Sequence, residues 1–207
     1  MIVLAILFMT SVFLIPSEGM SSDTKVHLSV YYESLCPFCR RFFANQLKPT
    51  SLALSDYMET HLVPFGITDV YHVGKQVIFS CQHLYKECRD NIIQACALAR
   101  MSGQSNLNQV LMASCILELA DQDPEIIGPE CCKKFGLDWS DVSACTTGPE
   151  GTKLMLKYAN ETISAKIHGV PHTTIDGHAV SEGDLKKSVC DHLALKGITP
   201  VACKGVH

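Results

Sequence analysis

Cys36 and Cys39, in the run Cys36-Pro37-Phe38-Cys39, are the residues best placed to do chemistry. A thiolate, and not a thiol, attacks a disulfide. The sequence before the pair, Val26-His27-Leu28-Ser29-Val30-Tyr31-Tyr32, alternates and is rich in β-branched and aromatic residues, so it predicts a strand. The sequence after the pair predicts a helix. A sulfur at a helix N-terminus meets unpaired amide N–H groups and the positive end of the dipole, and both favour its anion. Pro37 suits the first turn because its missing N–H would have had no partner there. A two-residue spacer brings the second sulfur close enough to displace a mixed disulfide. Cys36 is therefore expected to be the exposed nucleophile and Cys39 the resolving thiol, with Pro37 and Phe38 on the surface a substrate meets. Arg40 and Arg41 add positive charge nearby. Two blander readings compete: an ordinary disulfide staple, and half of a zinc site, for which no second close ligand pair is present.

The rest of the chain sets the context. Eleven cysteines in 207 residues would need a metal or a catalytic reason in a reduced cytosol, but read as disulfides in a secretory chain. Residues Ile2 to Pro16 are almost wholly apolar and are followed by Ser17 and Gly19, which predicts a signal peptide over 1–19. The run is shorter than a membrane span needs, and no later stretch could span. Apolar residues make up 47% and charged residues 18%, enough for a core, and the net charge of −4 without a basic cluster argues against nucleic acid as a partner.

The periodicities predict a helix over Arg40–Tyr57, divided near Pro49, and strands over His61–Ile67 and Gln76–Ser80. Helices follow over Leu84–Met101 and around Leu107–Leu119, then short helices and loops over 121–148, and a helix over Thr152–Ile167. A short strand, Thr173–Ile175, and a last helix, Glu182–Leu195, close the chain. This is an α/β chain with a helical insertion over about 82–168. Val170-Pro171 stands just before that late strand, an order that resembles the cis-proline loop of thioredoxin-like folds, which lies opposite the CxxC. On that reading Pro171 is cis, Val170 pairs its backbone with a bound peptide, and His172 is placed to touch the sulfurs.

A third element, Cys81-Gln82-His83-Leu84-Tyr85-Lys86-Glu87-Cys88 continuing through Asn91 to Cys96, resembles the signature of the gamma-interferon-inducible lysosomal thiol reductase family. That signature runs Cys-Gln-His-Gly, then Glu-Cys, Asn and a final Cys; Leu84 stands where the family has Gly. The resemblance, with Cys-Pro-Phe-Cys and Val-Pro, covers most of the chain beyond the signal peptide. It implies a disulfide-rich thioredoxin-like fold and reduction of disulfides in proteins delivered to an acidic endosomal or lysosomal compartment, with a role in immune defence. The rival functions are an ER-type oxidase or isomerase, and a secreted non-catalytic binding protein.

Nine cysteines lie outside the CxxC: Cys81, Cys88, Cys96, Cys115, Cys131, Cys132, Cys145, Cys190 and Cys203. Nine is odd, so one stays unpaired unless it bonds elsewhere. Cys88 and Cys96 are about 12 Å apart on a straight helix, beyond the roughly 7 Å limit for a bridged pair, so each pairs with another segment. Adjacent Cys131 and Cys132 likewise pair separately, and Cys190 with Cys203 would close a short loop. The signature reads mainly as a scaffold beside the site, with His83 as a structural hydrogen-bonding residue. Asn160-Glu161-Thr162 is the single N-glycosylation sequon, on a polar helix face. No nucleotide, flavin or metal motif is present, so no bound cofactor is expected, and turnover needs an external small-molecule thiol.

Overall fold

The computed structural model describes residues 24–206; the signal peptide expected over 1–19 lies outside the described residues. β1 (Val26–Tyr32) is the centre of the fold. Its even-numbered residues Val26, Leu28, Val30 and Tyr32 are buried on one face. On one side it pairs in parallel with β2 (Met58–Pro64), and on the other it pairs antiparallel with β5 (His172–Ile175), which pairs with β6 (His178–Val180). The sheet order is β2-β1-β5-β6.

Strand β2 begins three residues before the expected start at His61 and ends at Pro64. Met58, Thr60 and Leu62 supply the inward alternation. Pro64 is tolerated because β2 is the sheet edge. The helix after the CxxC also starts earlier than Arg40: α1 spans Pro37–Phe42, a widened π turn covers Phe43–Leu47, and α2 covers Lys48–Leu54. Pro49 has no N–H to give to the preceding turn, and the widening sits just ahead of it. Sequence periodicity missed β3 (Asp69–Val73), which pairs with β4 (Gln76–Ser80) in a separate hairpin. Most of its residues are exposed, so there is little apolar alternation to read.

Five helices fill the space between the hairpin and β5: α3 (Leu84–Arg100), α4 (Asn106–Glu118), α5 (Pro124–Lys134), α6 (Trp139–Thr147) and α7 (Pro149–Ser164). They bury a core of their own around Ile93, Met112, Ile116 and Ile127. Two disulfides, Cys96–Cys145 and Cys115–Cys131, cross it. A second core joins the even face of β1 to Phe42, Phe43 and Leu47 and to Leu185, Val189 and Leu193 of α8 (Leu185–Leu195). A third lies on the opposite face of the sheet, where Tyr31 and Val63 meet Met155 and Tyr158 of α7. Cys190–Cys203 ties α8 to the C-terminal segment, and Cys81–Cys88 ties the end of β4 to α3. No helix among the described residues is long and apolar enough to cross a membrane.

Candidate active site

The CxxC lies where β1 hands over to α1. Cys36 is the N-cap of α1, and its sulfur accepts the Cys39 backbone N–H at 3.4 Å. Pro37 occupies the first helical turn. Both cysteines are free thiols. The Val170–Pro171 peptide is cis and brings the Val170 carbonyl oxygen to 3.8 Å from Cys36 Sγ. Segments 134 residues apart thus meet at one sulfur.

The two thiols differ sharply in acidity. Cys36 is lowered to about 6. The main cause is the hydrogen bond from the Cys39 thiol, helped by the backbone N–H groups of Cys39 and Phe38 and, more weakly, by the charge of His83; burial opposes them. Cys39 is pushed far up, first by burial and then by donating to Cys36. Arg40 has its charge engaged elsewhere. Its guanidinium is held by both oxygens of Asp121 at 2.9 and 2.8 Å, and its Nε by the Leu117 carbonyl.

Two expectations need correction. Cys36 is not an exposed sulfur: the residue is only 4% accessible, while Phe38 beside it is 64% accessible. The Phe38 ring, and not the sulfur, is what the CxxC presents at the surface. His172 does not face the sulfurs. Its ring lies edge-on to Tyr31, 6.2 Å between centroids, and lines a separate hollow with His27, Ser29 and Asp176. The imidazole whose charge reaches Cys36 is that of His83.

The turn leading to Cys36 is clamped by α3. Glu87, Asp90, Asn91 and Gln94 are fully buried polar residues on this helix. Asn91 Oδ1 accepts from the Ser34 backbone N–H at 2.9 Å, and Gln94 Nε2 donates to Ser34 Oγ at 2.6 Å. Tyr32 OH donates to Gln94 Oε1 at 2.7 Å. Glu87 Oε1 accepts from the Leu35 N–H at 3.1 Å, and Glu87 Oε2 from the His83 N–H at 2.9 Å. The Glu-Cys…Asn portion of the signature is thus the part of the scaffold that fixes residues 34–35, directly ahead of the nucleophile. In an apolar core such contacts are strong only when every partner is in place.

Sequence reading passed over Glu33. It is fully buried, and its Oε1 accepts the Ile67 N–H at 3.0 Å while Oε2 has no partner. Its pKa is raised to about 8, first by burial and then by the charge of Glu87. The available signal was a carboxylate ending an apolar strand three residues before a reactive cysteine. Gly66, at φ +58°, leaves room for it; a Cβ there would come within 2.3 Å of Glu33 Cγ. Glu33, His83 and Glu87 present ligand atoms within 4.8 Å of one another, the one such cluster among the described residues. Their hydrogen bonds to Ile67, Leu35 and each other use them as the clamp just described.

Leu84, where a Gly stands in the family signature, adopts φ +67° and is 79% accessible. A left-handed conformation is unfavourable for a residue with a Cβ by roughly 1–2 kcal/mol. Leu84→Gly is therefore expected to stabilise the protein by about 1 kcal/mol, after the entropy of the freer unfolded chain is set against the relief. A denaturant midpoint that stays put or falls would show that the turn imposes no strain.

The remaining cysteines sort by position. Eight form the four disulfides. Cys131 pairs with Cys115, but Cys132, expected to pair as well, stays a buried thiol, raised to about 11 by burial. Asn160 is exposed on α7.

Comparison with solved structures places this arrangement in a fold class. The chain is similar to a thioredoxin-like oxidoreductase from Silicibacter pomeroyi (TM-score 0.54, 14% identity, 84% of this chain and 87% of that one). It is similar also to oxidised BdbD from Bacillus subtilis (TM-score 0.56, 10% identity, 85% and 89%). The protein has a thioredoxin-like fold with a disulfide-rich helical insertion. The sequence profile of the Gamma interferon inducible lysosomal thiol reductase (GILT) family matches residues 27–135. A reductase of that name from Carassius auratus is 35% identical over 188 residues, 86% of this chain and 72% of the relative. A GILT-like protein from Anopheles gambiae is 30% identical over 208 residues, 94% and 84%. The chain belongs to the GILT family.

Proposed function

We propose that the protein is a thiol–disulfide reductase of protein substrates, working in an acidic endosomal or lysosomal compartment or outside the cell. The observation that carries this reading is the pairing of an acidified Cys36 with a buried Cys39 directly beneath the cis-proline loop. The Cys36 thiolate attacks one sulfur of the substrate disulfide. A mixed disulfide forms, and the other substrate sulfur leaves as a thiolate that takes up a proton. Cys39 then loses its proton and attacks Cys36 Sγ. The second substrate thiol departs, and the Cys36–Cys39 disulfide is left. Two equivalents of an external small-molecule thiol return it to the reduced state and are themselves oxidised to a disulfide. No bound cofactor enters this cycle.

Val170 and Pro171 hold the substrate backbone, and Pro37 and Phe38 form the surface it crosses. A glycan on Asn160 would project from α7, an element that contributes no residue to the CxxC face. An ordinary thiol of pKa about 8.5 is thiolate in about 3 of 10,000 molecules at pH 5; a thiol titrating at about 6 is so in about one of eleven. The lower basicity gives back part of that gain in nucleophilicity. The test is reduction of the interchain disulfides of insulin by the mature protein with cysteine as reductant, at pH 5 and pH 7. Turnover at pH 5 that disappears in Cys36→Ser is expected. Activity confined to alkaline pH, or unchanged in that variant, would reject the proposal.

A further inference from the structure

A hollow of about 440 Å³ opens beside the nucleophile, between the helix that follows Cys36 and the loop that carries Pro171. Phe38, Phe42, Val170 and Pro171 supply its apolar lining. Arg41 stands on its wall, with its guanidinium carbon 5.7 Å from the centroid of the Phe38 ring. Unlike Arg40, which Asp121 holds, Arg41 forms no ion pair among the described residues. The other charged wall residue, Glu182, is already engaged: its Oε1 accepts the Thr173 N–H at 3.2 Å.

We propose that this hollow is a substrate subsite that takes a large apolar side chain two residues from the attacked half-cystine, with an acidic residue two positions further along, on the same face, held by Arg41. The inference rests on the reductase reading above and adds the substrate class. Its geometry follows from the backbone pairing at Val170. A segment lying extended against that loop puts side chains i and i+2 on the same face, about 6.6 Å apart. If residue i is the half-cystine at Cys36, residue i+2 or i−2 lies over the ring of Phe38. Val170 and Phe38 border both the thiolate and the hollow, so the two sites are continuous. Volume and lining suit one large apolar side chain, with a few polar groups to orient it. Arg41, stacked on Phe38, is the wall cation without an ion pair among the described residues, and an acidic side chain would supply one.

The experiment offers Cys39→Ser an equimolar mixture of three peptide disulfides whose cysteines are followed at the second and fourth positions by Leu and Asp, Leu and Lys, or Gly and Gly. Mixed disulfides trapped on Cys36 are counted by mass spectrometry. Leu-Asp is expected over the Gly peptide by about tenfold, from partial burial of one side chain. It is expected over Leu-Lys by about two- to fivefold, a rim-charge effect that fades in high salt. In Arg41→Glu the charge preference reverses, and in Phe38→Ala the preference for Leu over Gly falls. Because each readout is a ratio on one enzyme, a change in Cys36 reactivity cancels. Equal trapping of all three peptides, or a charge preference that survives Arg41→Glu, overturns the subsite. Failure to trap any peptide strikes at the reductase reading instead. The subsite is then decided by fluorescence anisotropy of the same peptides with Ser for Cys, where equal affinities would overturn it.

Discussion

In the reduced protein, Cys36 is expected to be alkylated by iodoacetamide with a pH midpoint near 6, as the rate climbs through that value and levels off above about pH 7. Cys132 does not interfere, because burial raises it to about 11. Nor does Cys39, which is buried and raised still further. The midpoint depends on Cys39 as a hydrogen-bond donor, the largest cause of the lowering. Cys39→Ala removes that donor and moves the midpoint up towards an ordinary thiol. Cys39→Ser keeps a hydroxyl and falls between the two. Each unit of movement is 1.36 kcal/mol of lost preference for the anion. In function, both Cys39 variants accumulate a mixed disulfide with substrate that dithiothreitol releases, while Cys36→Ser accumulates none and loses turnover. A midpoint near 8.5 in the parent protein, or equal trapping by Cys36→Ser and Cys39→Ser, would reverse the assignment of the two sulfurs.

The second large effect belongs to Glu33 and appears as stability. Its folded-state pKa of about 8 stands well above the ordinary carboxyl value of 4.5. Between those two values the folded protein holds a proton that the unfolded chain has released. Unfolding therefore becomes easier as pH rises. The stabilisation is fully present below about pH 4.5 and is lost by about pH 8. A shift of that size corresponds to a loss on the order of 5 kcal/mol. The physical source is the unpartnered Oε2, where an ionised carboxylate would carry its charge in the interior beside Glu87. Glu33→Gln imitates the neutral acid and still accepts from Ile67. It is expected to match the parent within about 1 kcal/mol at pH 5 and to exceed it by several kcal/mol at pH 8. Groups common to both proteins cancel in the difference. Parallel pH–stability curves for the two would show that Glu33 ionises as an exposed carboxyl does.

Local features were legible in the sequence, and long-range ones only in part. β1 was readable to the residue because its alternation faces a core on one side. The CxxC was readable because its chemistry needs one spacing and one place, between a strand and a helix. β3 was missed because a mostly exposed strand carries no apolar rhythm. His172 was placed by its neighbour in sequence, yet a residue one step along a strand points to the other face. Glu33 and the inward polar face of α3 were missed for a related reason. A buried carboxylate looks like a solvated one until the groups that surround it, here Ile67 and Glu87, are brought in from elsewhere.

The four disulfides carry a consequence for selectivity. A reductase bathed in thiols is also a potential target of its own chemistry, at a local concentration no external substrate can match. Exchange requires the attacking sulfur to approach along the S–S axis. Cys96–Cys145 and Cys115–Cys131 lie inside the helical core, at 6% accessibility or less, so such an approach is closed while the fold persists. Cys81–Cys88 and Cys190–Cys203 each keep one half-cystine partly accessible, Cys88 and Cys203. The molecule thus has an inner pair of bonds exempt from its own reactivity and an outer pair partly exposed to it, so excess reductant would loosen the start of α3 and the C-terminal segment before the helical core.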